Sequence, residues 1–364
     1  MRIKDLVLFL NQLAPTCYQE SYDNSGLLTG NLDEKVTGVL VSLDCIETIV
    51  EEAIETKSNV IVTHHPIIFS GLKKLTGTNY IERTVIKAIQ HNIALIAIHT
   101  NLDNMPNGVN QIISNKLGLI NTQILRPKES SLFRLTVYVP DTHVKNVQEA
   151  LAEAGAGAIG NYEACSFTSL GEGRFKPNDK SSPFSGEKNK LSIVKEQKIE
   201  VIVPQHTVNN VINAMKQAHP YEEIAYYLVD LKNNNPTIGS GMIGALEKPL
   251  ETFSFLQLIK EKFNCGTVRY TNIHTNTIKK VAVCGGSGSF LLKDAIGMDA
   301  DIFITSDFKY HEFFDAENRI IIADIGHFES EQYTSHWLVE QLKKKFTTFA
   351  IRLTNVNTNP INYL

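Results

Sequence analysis

The chain has 364 residues, 43% of them hydrophobic, and its 35 Lys and Arg nearly cancel its 39 Asp and Glu to leave a formal net charge of −4. That length exceeds what one compact domain usually needs, and the balanced charge without any Lys/Arg-rich run excludes the electrostatic footprint of a nucleic-acid binder. No stretch reaches the roughly 18 uninterrupted apolar residues of a membrane span, no export signal opens the chain, and its five scattered cysteines lack any CxxC pair, so a soluble cytoplasmic protein is expected.

From the amino terminus, apolar spacing predicts a helix over Ile3–Leu13, a strand over Val36–Leu43, a helix over Ile46–Thr56 and a strand over Asn59–Thr63. A helix from about Ile81 to Gln90, a strand over Ile93–Ile98 and a helix over Val109–Leu117 follow, each separated by Gly or Asn. Helical and strand periods that alternate in this way are βαβ grammar. They predict an α/β domain whose parallel or mixed sheet is covered by helices.

Around Pro127 the character changes. Leu135–Pro140 running into a helix over Val144–Ala154 is matched by Ile199–Pro204 running into a helix over Val208–Ala218, a weak internal repeat. With a closing strand over Ile224–Val229, the two halves read as a duplicated unit of ferredoxin-like α+β type. Gly171–Asn189 between them, rich in Gly, Pro, Ser, Lys and Asp, reads as an exposed loop.

After Gly239-Ser240-Gly241 the α/β grammar resumes, with a helix over Ser254–Phe263, a strand over Lys280–Cys284, the loop Gly285-Gly286-Ser287-Gly288, and a helix to Ile296. Strands over Ile302–Thr305 and Ile320–Ile325 precede a last helix through Trp337 and Leu342. The expected organisation is therefore a discontinuous α/β domain, residues 1–131 and 232–364, interrupted by an inserted domain over 132–231.

Three segments carry chemistry. In Thr63-His64-His65-Pro66 a buried strand delivers two histidines to its carboxyl end, where parallel sheets place their ligand sites. Neighbouring side chains on an extended backbone diverge, so His64 and His65 suit two adjacent ions better than one. His99-Thr100-Asn101-Leu102-Asp103 follows another apolar strand and brings a carboxylate to the same rim, with His99 and Asn101 as supporting groups. The plainer reading of Asp103 is an Asx turn. Gly326-His327-Phe328-Glu329-Ser330-Glu331 follows a third strand and sets His327 and Glu331 one helical turn apart, although Glu331 alone is ordinary dressing for a helix start. Together they supply imidazole and carboxylate without thiolate, a donor set for zinc, iron or manganese. A carboxylate with two oxygens can bridge ions about 3.5–4 Å apart. The short Gly285–Gly288 loop could cradle phosphate but reads more simply as a turn.

With Tyr22-Asp23-Asn24-Ser25-Gly26-Leu27 and Ser306-Asp307-Phe308-Lys309-Tyr310-His311-Glu312, these motifs resemble the Nif-three-like family of dinuclear-metal proteins, often labelled GTP cyclohydrolase I type 2 homologues. The resemblance covers nearly the whole chain and departs at Tyr22, where many relatives have Trp. It implies two divalent ions held by His64, His65, Asp103, His327 and Glu331, with Glu331 as the bridge. Asp23, Asn24, His99, Asn101, Asp307 and His311 become candidates for supporting or substrate-facing roles. It also implies a toroidal homohexamer and likens the insert to PII and CutA-type trimeric modules. The leading expectation is a metal-dependent hydrolase of a small, nucleotide-like, phosphate or amide substrate, with metal-bound water as nucleophile. The rival is a non-enzymatic metal-binding or regulatory assembly.

Overall fold

Gly38–Ser42, Val60–Thr63 and Ala94–Ala97 are continuous apolar runs, the pattern of strands covered on both faces. In the computed structural model, which describes residues 1–364, each of these runs is a strand with every residue buried. The chain forms two compact units, one of Met1–Pro127 with Pro236–Leu364 and one of Lys128–Asn235. No helix is long and apolar enough to cross a membrane.

The first segment runs α1 (Ile3–Leu13), β1 (Gly26–Thr29), β2 (Gly38–Ser42), α2 (Glu47–Glu55), β3 (Val60–Thr63), α3 (Tyr80–Gln90), β4 (Ala94–Ala97), α4 (Thr100–Asp103), α5 (Val109–Leu117) and β5 (Ile120–Lys128). The second unit follows as β6 (Leu132–Pro140), α6 (Val144–Glu153), β7 (Phe167–Phe175), β8 (Ser192–Pro204), α7 (Val208–Ala218) and β9 (Tyr226–Leu231). The last segment comprises β10 (Asn235–Glu251), α8 (Thr252–Lys262), β11 (Arg269–Tyr270), β12 (Thr277–Ser287), α9 (Leu292–Gly297), β13 (Ile302–Ser306), β14 (Ile321–Asp324), α10 (His327–Glu331), α11 (Tyr333–Lys345) and β15 (Ala350–Leu353).

The first unit contains two sheets where one was expected. One has the order β1-β4-β3-β2-β15, parallel except for β1. The other has the order β11-β14-β13-β12-β10-β5, in which β12, β13 and β14 are parallel while β10 and β11 run antiparallel to their neighbours β12 and β14. Alternation along the strands sorts the layers. Val39, Val41, Val60, Val62, Ala94 and Ile96 of the first sheet share one core with Val281, Val283, Ile302, Ile304, Ile321 and Ala323 of the second. Side chains of α1, α5, α8 and α11 fill that core between the sheets. The opposite faces carry Leu40, Ile61 and Leu95 under α2 and α3, and Ala282, Phe303 and Ile322 under α9.

The second sheet was hidden by β10, whose glycines read as punctuation. Gly239 and Gly241 hold φ of 156° and 66°, and a Cβ at Gly239 would lie 2.1 Å from the Arg126 carbonyl oxygen. The glycines are there because β10 passes tightly against β5.

In the second unit the strands pair antiparallel in the order β7-β8-β6-β9. Leu135, Val137, Val139, Ile199, Val201 and Val203 pack against Val147, Leu151, Val211 and Met215 of the two helices on one face. The expected loop over Gly171–Asn189 is corrected in its first part, because Gly171–Phe175 completes β7. Its glycines lowered the strand signal, but backbone pairing to β8 along nine registered positions overrides that local preference.

Candidate metal centre

β3 ends at Thr63, β4 at Ala97 and β14 at Asp324, and the residues that follow converge at one end of the first unit. His64 is fully buried. Its Nδ1 lies 2.8 Å from the Ile98 carbonyl oxygen, which can only accept, so the neutral ring donates from Nδ1 and keeps a lone pair on Nε2. That Nε2 faces Asp103 Oδ1 at 3.5 Å and Glu331 Oε1 at 3.7 Å. Both His64 Nε2 and Asp103 Oδ1 are buried without a hydrogen-bond partner. Two such unpaired atoms, a ring nitrogen lone pair and a carboxylate oxygen aimed at one point, form a donor set that suits a cation.

The other oxygen of Glu331 serves a second group. Oε2 lies 2.9 Å from His65 Nε2 and 3.2 Å from His327 Nε2, and the two Nε2 atoms are 3.3 Å apart. Each imidazole is held from behind by a carboxylate: Asp44 Oδ1 is 2.7 Å from His65 Nδ1, and Asp307 Oδ2 is 2.6 Å from His327 Nδ1. Carboxylates behind imidazoles fix the ring and raise its basicity, as they do around metal-bound histidines.

Local backbone explains how Glu331 reaches in. Gly326, with φ of 94°, turns the chain out of β14 into α10, and a Cβ there would lie 2.2 Å from Glu329 Oε2. A Cβ at Gly286 would lie 2.4 Å from Glu331 Oε1. The Gly285-Gly286 pair belongs to β12 and makes space for this carboxylate; it is not a phosphate loop opening a long helix.

Charges follow the geometry. Burial opposes protonation of His65 and His327, but Asp44 and Glu331 raise His65 to about 9, and Glu331 with Asp307 raises His327 to about 11. Burial likewise opposes ionisation of Glu331, and the charge of His327 outweighs it and holds the carboxyl well below its ordinary value. Asp103 goes the other way, pushed up by burial and then by the charge of Glu331. Two buried carboxylates this close repel, and Asp103 is the one whose ionisation is disfavoured.

His99 turns Nδ1 to Asp23 Oδ1 at 2.7 Å and packs edge-on to His64 and His65 at ring-centroid distances of 5.3 and 5.5 Å. Asp23 also accepts from the Thr100 backbone N–H and hydroxyl, and burial is outweighed by these bonds, which hold its carboxyl far below the ordinary range. Asn101 is a brace: its Nδ2 donates to the Ala14 carbonyl at 2.7 Å, and its Oδ1 accepts from Ser25 Oγ at 2.8 Å. Asn24 donates to the Ile68 carbonyl at 2.6 Å and so pins the segment that carries Phe69.

His311 is not brought to this site. It stands on a 3₁₀ segment over Tyr310–Ala316, stacked on Phe314, whereas Asp307 lies before that segment with φ of 61°, so no helix joins the two and their four-residue spacing sets no common face. Sequence reasoning misses Asp44, although it lies just past the end of β2 and so stands on the same rim as the histidines. Groups of ligand atoms within 4.8 Å of one another are His64 with His65 and His99, His65 with His327 and Glu331, and His64 with Asp103 and Glu331. They open onto a cavity of about 450 Å³ whose wall includes Tyr22 and Phe69, rings 6.2 Å apart.

Comparison with known proteins gives consistent matches. The family model described as Duf34/NIF3 (NGG1p interacting factor 3) matches residues 1–360. A Staphylococcus epidermidis protein named GTP cyclohydrolase 1 type 2 homolog is 36% identical, with all of both chains covered. A Halalkalibacterium halodurans protein of the same name is 39% identical over 94% of this chain and 93% of its own. Among solved structures, the Bacillus cereus protein related to NIF3 superposes with a TM-score of 0.86 at 34% identity, covering 100% of this chain and 99% of that one.

Proposed function

The chain belongs to the Duf34/NIF3 family, and on that premise we propose that it holds two divalent cations side by side and uses them to hydrolyse a small molecule. The observation that carries this reading is the division of Glu331. One oxygen faces His64 and the orphaned Asp103 Oδ1, the other faces His65 and His327. One ion would be held by His64, Asp103 and Glu331, and a second by His65, His327 and Glu331. Nitrogen and oxygen donors without thiolate suit zinc, iron or manganese. Bound there, such ions supply Lewis acidity and a water acidic enough to ionise near neutral pH.

The chain's own residues do the rest. Asp44 and Asp307 fix the rings of His65 and His327, while Tyr22 and Phe69 offer an aromatic wall to a planar substrate. No Lys or Arg lines the cavity, so a phosphate chain there has no cationic side chain to meet it. A compact nucleotide-like molecule, a phosphoester or a cyclic amide therefore fits better than a nucleoside triphosphate, and the cyclohydrolase name of the relatives guides this choice only loosely. Elemental analysis after reloading, followed by hydrolysis assays over nucleotides, phosphoesters and cyclic amides, tests the reading. Reproducible loading of one ion or fewer per chain refutes the paired site, and turnover of none of these classes by the doubly loaded chain refutes the hydrolase.

We read the second unit as a ferredoxin-like insert of PII or CutA type, supported by its β-α-β-β-α-β succession and the strand order β7-β8-β6-β9. A cytoplasmic homohexamer is the assembly we propose. A non-enzymatic, regulatory role keeps one observation in its favour: that unit has a cavity of its own.

A further inference from the structure

That cavity, about 640 Å³, opens on the sheet face of the second unit that α6 and α7 leave uncovered. Its floor is Glu196 of β8, 7% exposed and opposite Gly171 of β7. Tyr221 donates to Glu196 Oε1 at 2.8 Å. A Cβ at Gly173 would lie 2.1 Å from Glu196 Oε2, so the glycine in mid-strand is where the carboxylate needs space. Aromatic side chains Tyr138, Phe175, Phe184 and Tyr221 form the walls, with Phe175 and Phe184 at 6.2 and 6.1 Å from Tyr221 between ring centroids.

Glu196 forms no ion pair: of the basic side chains that line the cavity, Lys176 does not pair with it and the other two pair with other glutamates. Lys198 pairs with Glu200 at 2.9 Å, Arg174 with Glu172 at 3.5 Å. His219 cannot supply the charge either: its Nε2 donates to the Tyr138 carbonyl at 2.9 Å and its Nδ1 accepts from the Tyr221 backbone N–H at 3.1 Å, which is the neutral ring. A buried carboxylate with a single phenol donor is an uncompensated charge, and its desolvation is offset only when a cation arrives. Aromatic walls attract cations through their ring faces. Of the glutamates that line the cavity only Glu196 is buried, and a single buried carboxylate offers far fewer oxygens than the six to eight a calcium ion takes.

We propose that this cavity binds a small organic cation, a primary ammonium or guanidinium on an apolar or aromatic body, with Glu196 as its counter-charge and Phe184 and Tyr221 as its walls. The ammonium sits over the floor at Glu196 Oε2, and the body lies between the rings.

The test uses the full chain and calorimetric or saturation-transfer titration with four probes: phenethylammonium, agmatine, the neutral 2-phenylethanol and the anionic 3-phenylpropionate. Saturable binding of at least one cation is expected, about tenfold or more tighter than the neutral alcohol, with the anion excluded. Glu196→Gln keeps an acceptor for Tyr221 while removing the charge, and should weaken the cation about tenfold or more without changing metal content. Phe184, 54% exposed, is safe to truncate, so Phe184→Ala decides the matter should Glu196→Gln fail to fold, and about threefold or more weakening is expected. Absence of saturable cation binding, preference for the anion or the alcohol, or cation affinity unchanged in a folded Glu196→Gln or in Phe184→Ala overturns the proposal.

Discussion

Replacing Asp44 tests whether the two halves of the proposed metal centre are separately supported. Asp44 Oδ1 is 2.7 Å from His65 Nδ1, and its Oδ2 accepts from the Thr358 hydroxyl at 2.6 Å. Burial opposes its ionisation, but the His65 bond and charge prevail and hold the carboxyl below its ordinary value, so a full negative charge stands behind the imidazole at neutral pH. Removing such a partner costs about 10–100-fold in metal affinity, or about 1.4–2.7 kcal/mol. Asp44→Asn still offers an amide oxygen to Nδ1, so its loss should lie towards about tenfold, and Asp44→Ala towards about a hundredfold. Only the ion held by His65, His327 and Glu331 should suffer, because His64 leans on the Ile98 carbonyl instead. Competition with a chromophoric chelator for zinc or manganese resolves the two affinities. Parent-like binding of both ions in both variants, or equal weakening of both, refutes this account of the site.

Glu331→Gln should lower occupancy at both positions, while His64→Ala and His65→Ala each empty mainly one; elemental analysis after reloading decides, and a glutamine variant that loads like the parent denies the bridge. Deleting Leu132–Leu231 behind a short linker should leave a folded, metal-binding first unit, since β5 and β10 on either side of the gap are neighbours in one sheet; an insoluble or metal-free product at every linker length contradicts this. Ending the chain at Thr354 removes the Thr358 bond to Asp44 and the Asn359 bond to Glu329, 3.0 Å long, and should weaken the ion at His65 by up to about tenfold while unfolding remains cooperative. Glu82, held ionised by the backbone and hydroxyl donors of Thr76 and Thr78, has its carboxyl lowered from 4.5 to about 2, so its stabilisation is complete above 4.5 and fades as pH falls through 2. Glu82→Gln should therefore flatten the acid limb of stability in that window, and an unchanged limb by circular dichroism counts against it.

Where one local physical rule dominated, the sequence was readable. Helices α1, α5 and α7 start and stop as apolar spacing predicts because nothing competes with their amphipathic faces. Strands β1, β11 and β15, of four, two and four residues, are too short to show a period, and exist because a neighbouring strand pairs with them. In β10 and β7 the difficulty was glycine. Its local meaning is a turn, and only tertiary closeness, of β10 to the Arg126 carbonyl and of β7 to the Glu196 carboxylate, turns it into a strand residue.

The candidate site divides along the same line. His64, His65 and Asp103 could be nominated because the ends of β3 and β4 are neighbours in one parallel sheet, whereas His327 and Glu331 follow β14 of the other sheet and join them only because the two sheets pack on one core. What the sequence could not give is which atom faces which. The pairing of one Glu331 oxygen with His64 and the other with His65 and His327 depends on the turn at Gly326, φ 94°, and on Gly286, where a Cβ would lie 2.4 Å from Oε1, a three-dimensional fact without a periodic signature. Asp44 lies on the rim too, yet its role depends on Thr358, far along the chain, whose hydroxyl holds Oδ2 while His65 takes Oδ1. His311 fails for the converse reason: it has the right chemistry at a helical spacing, but Asp307, with φ of 61°, stands outside the 3₁₀ segment that carries His311. Side-chain type and strand-end position therefore narrow a site to a handful of residues, and the hydrogen bonds behind those residues decide which of them can meet at one ion.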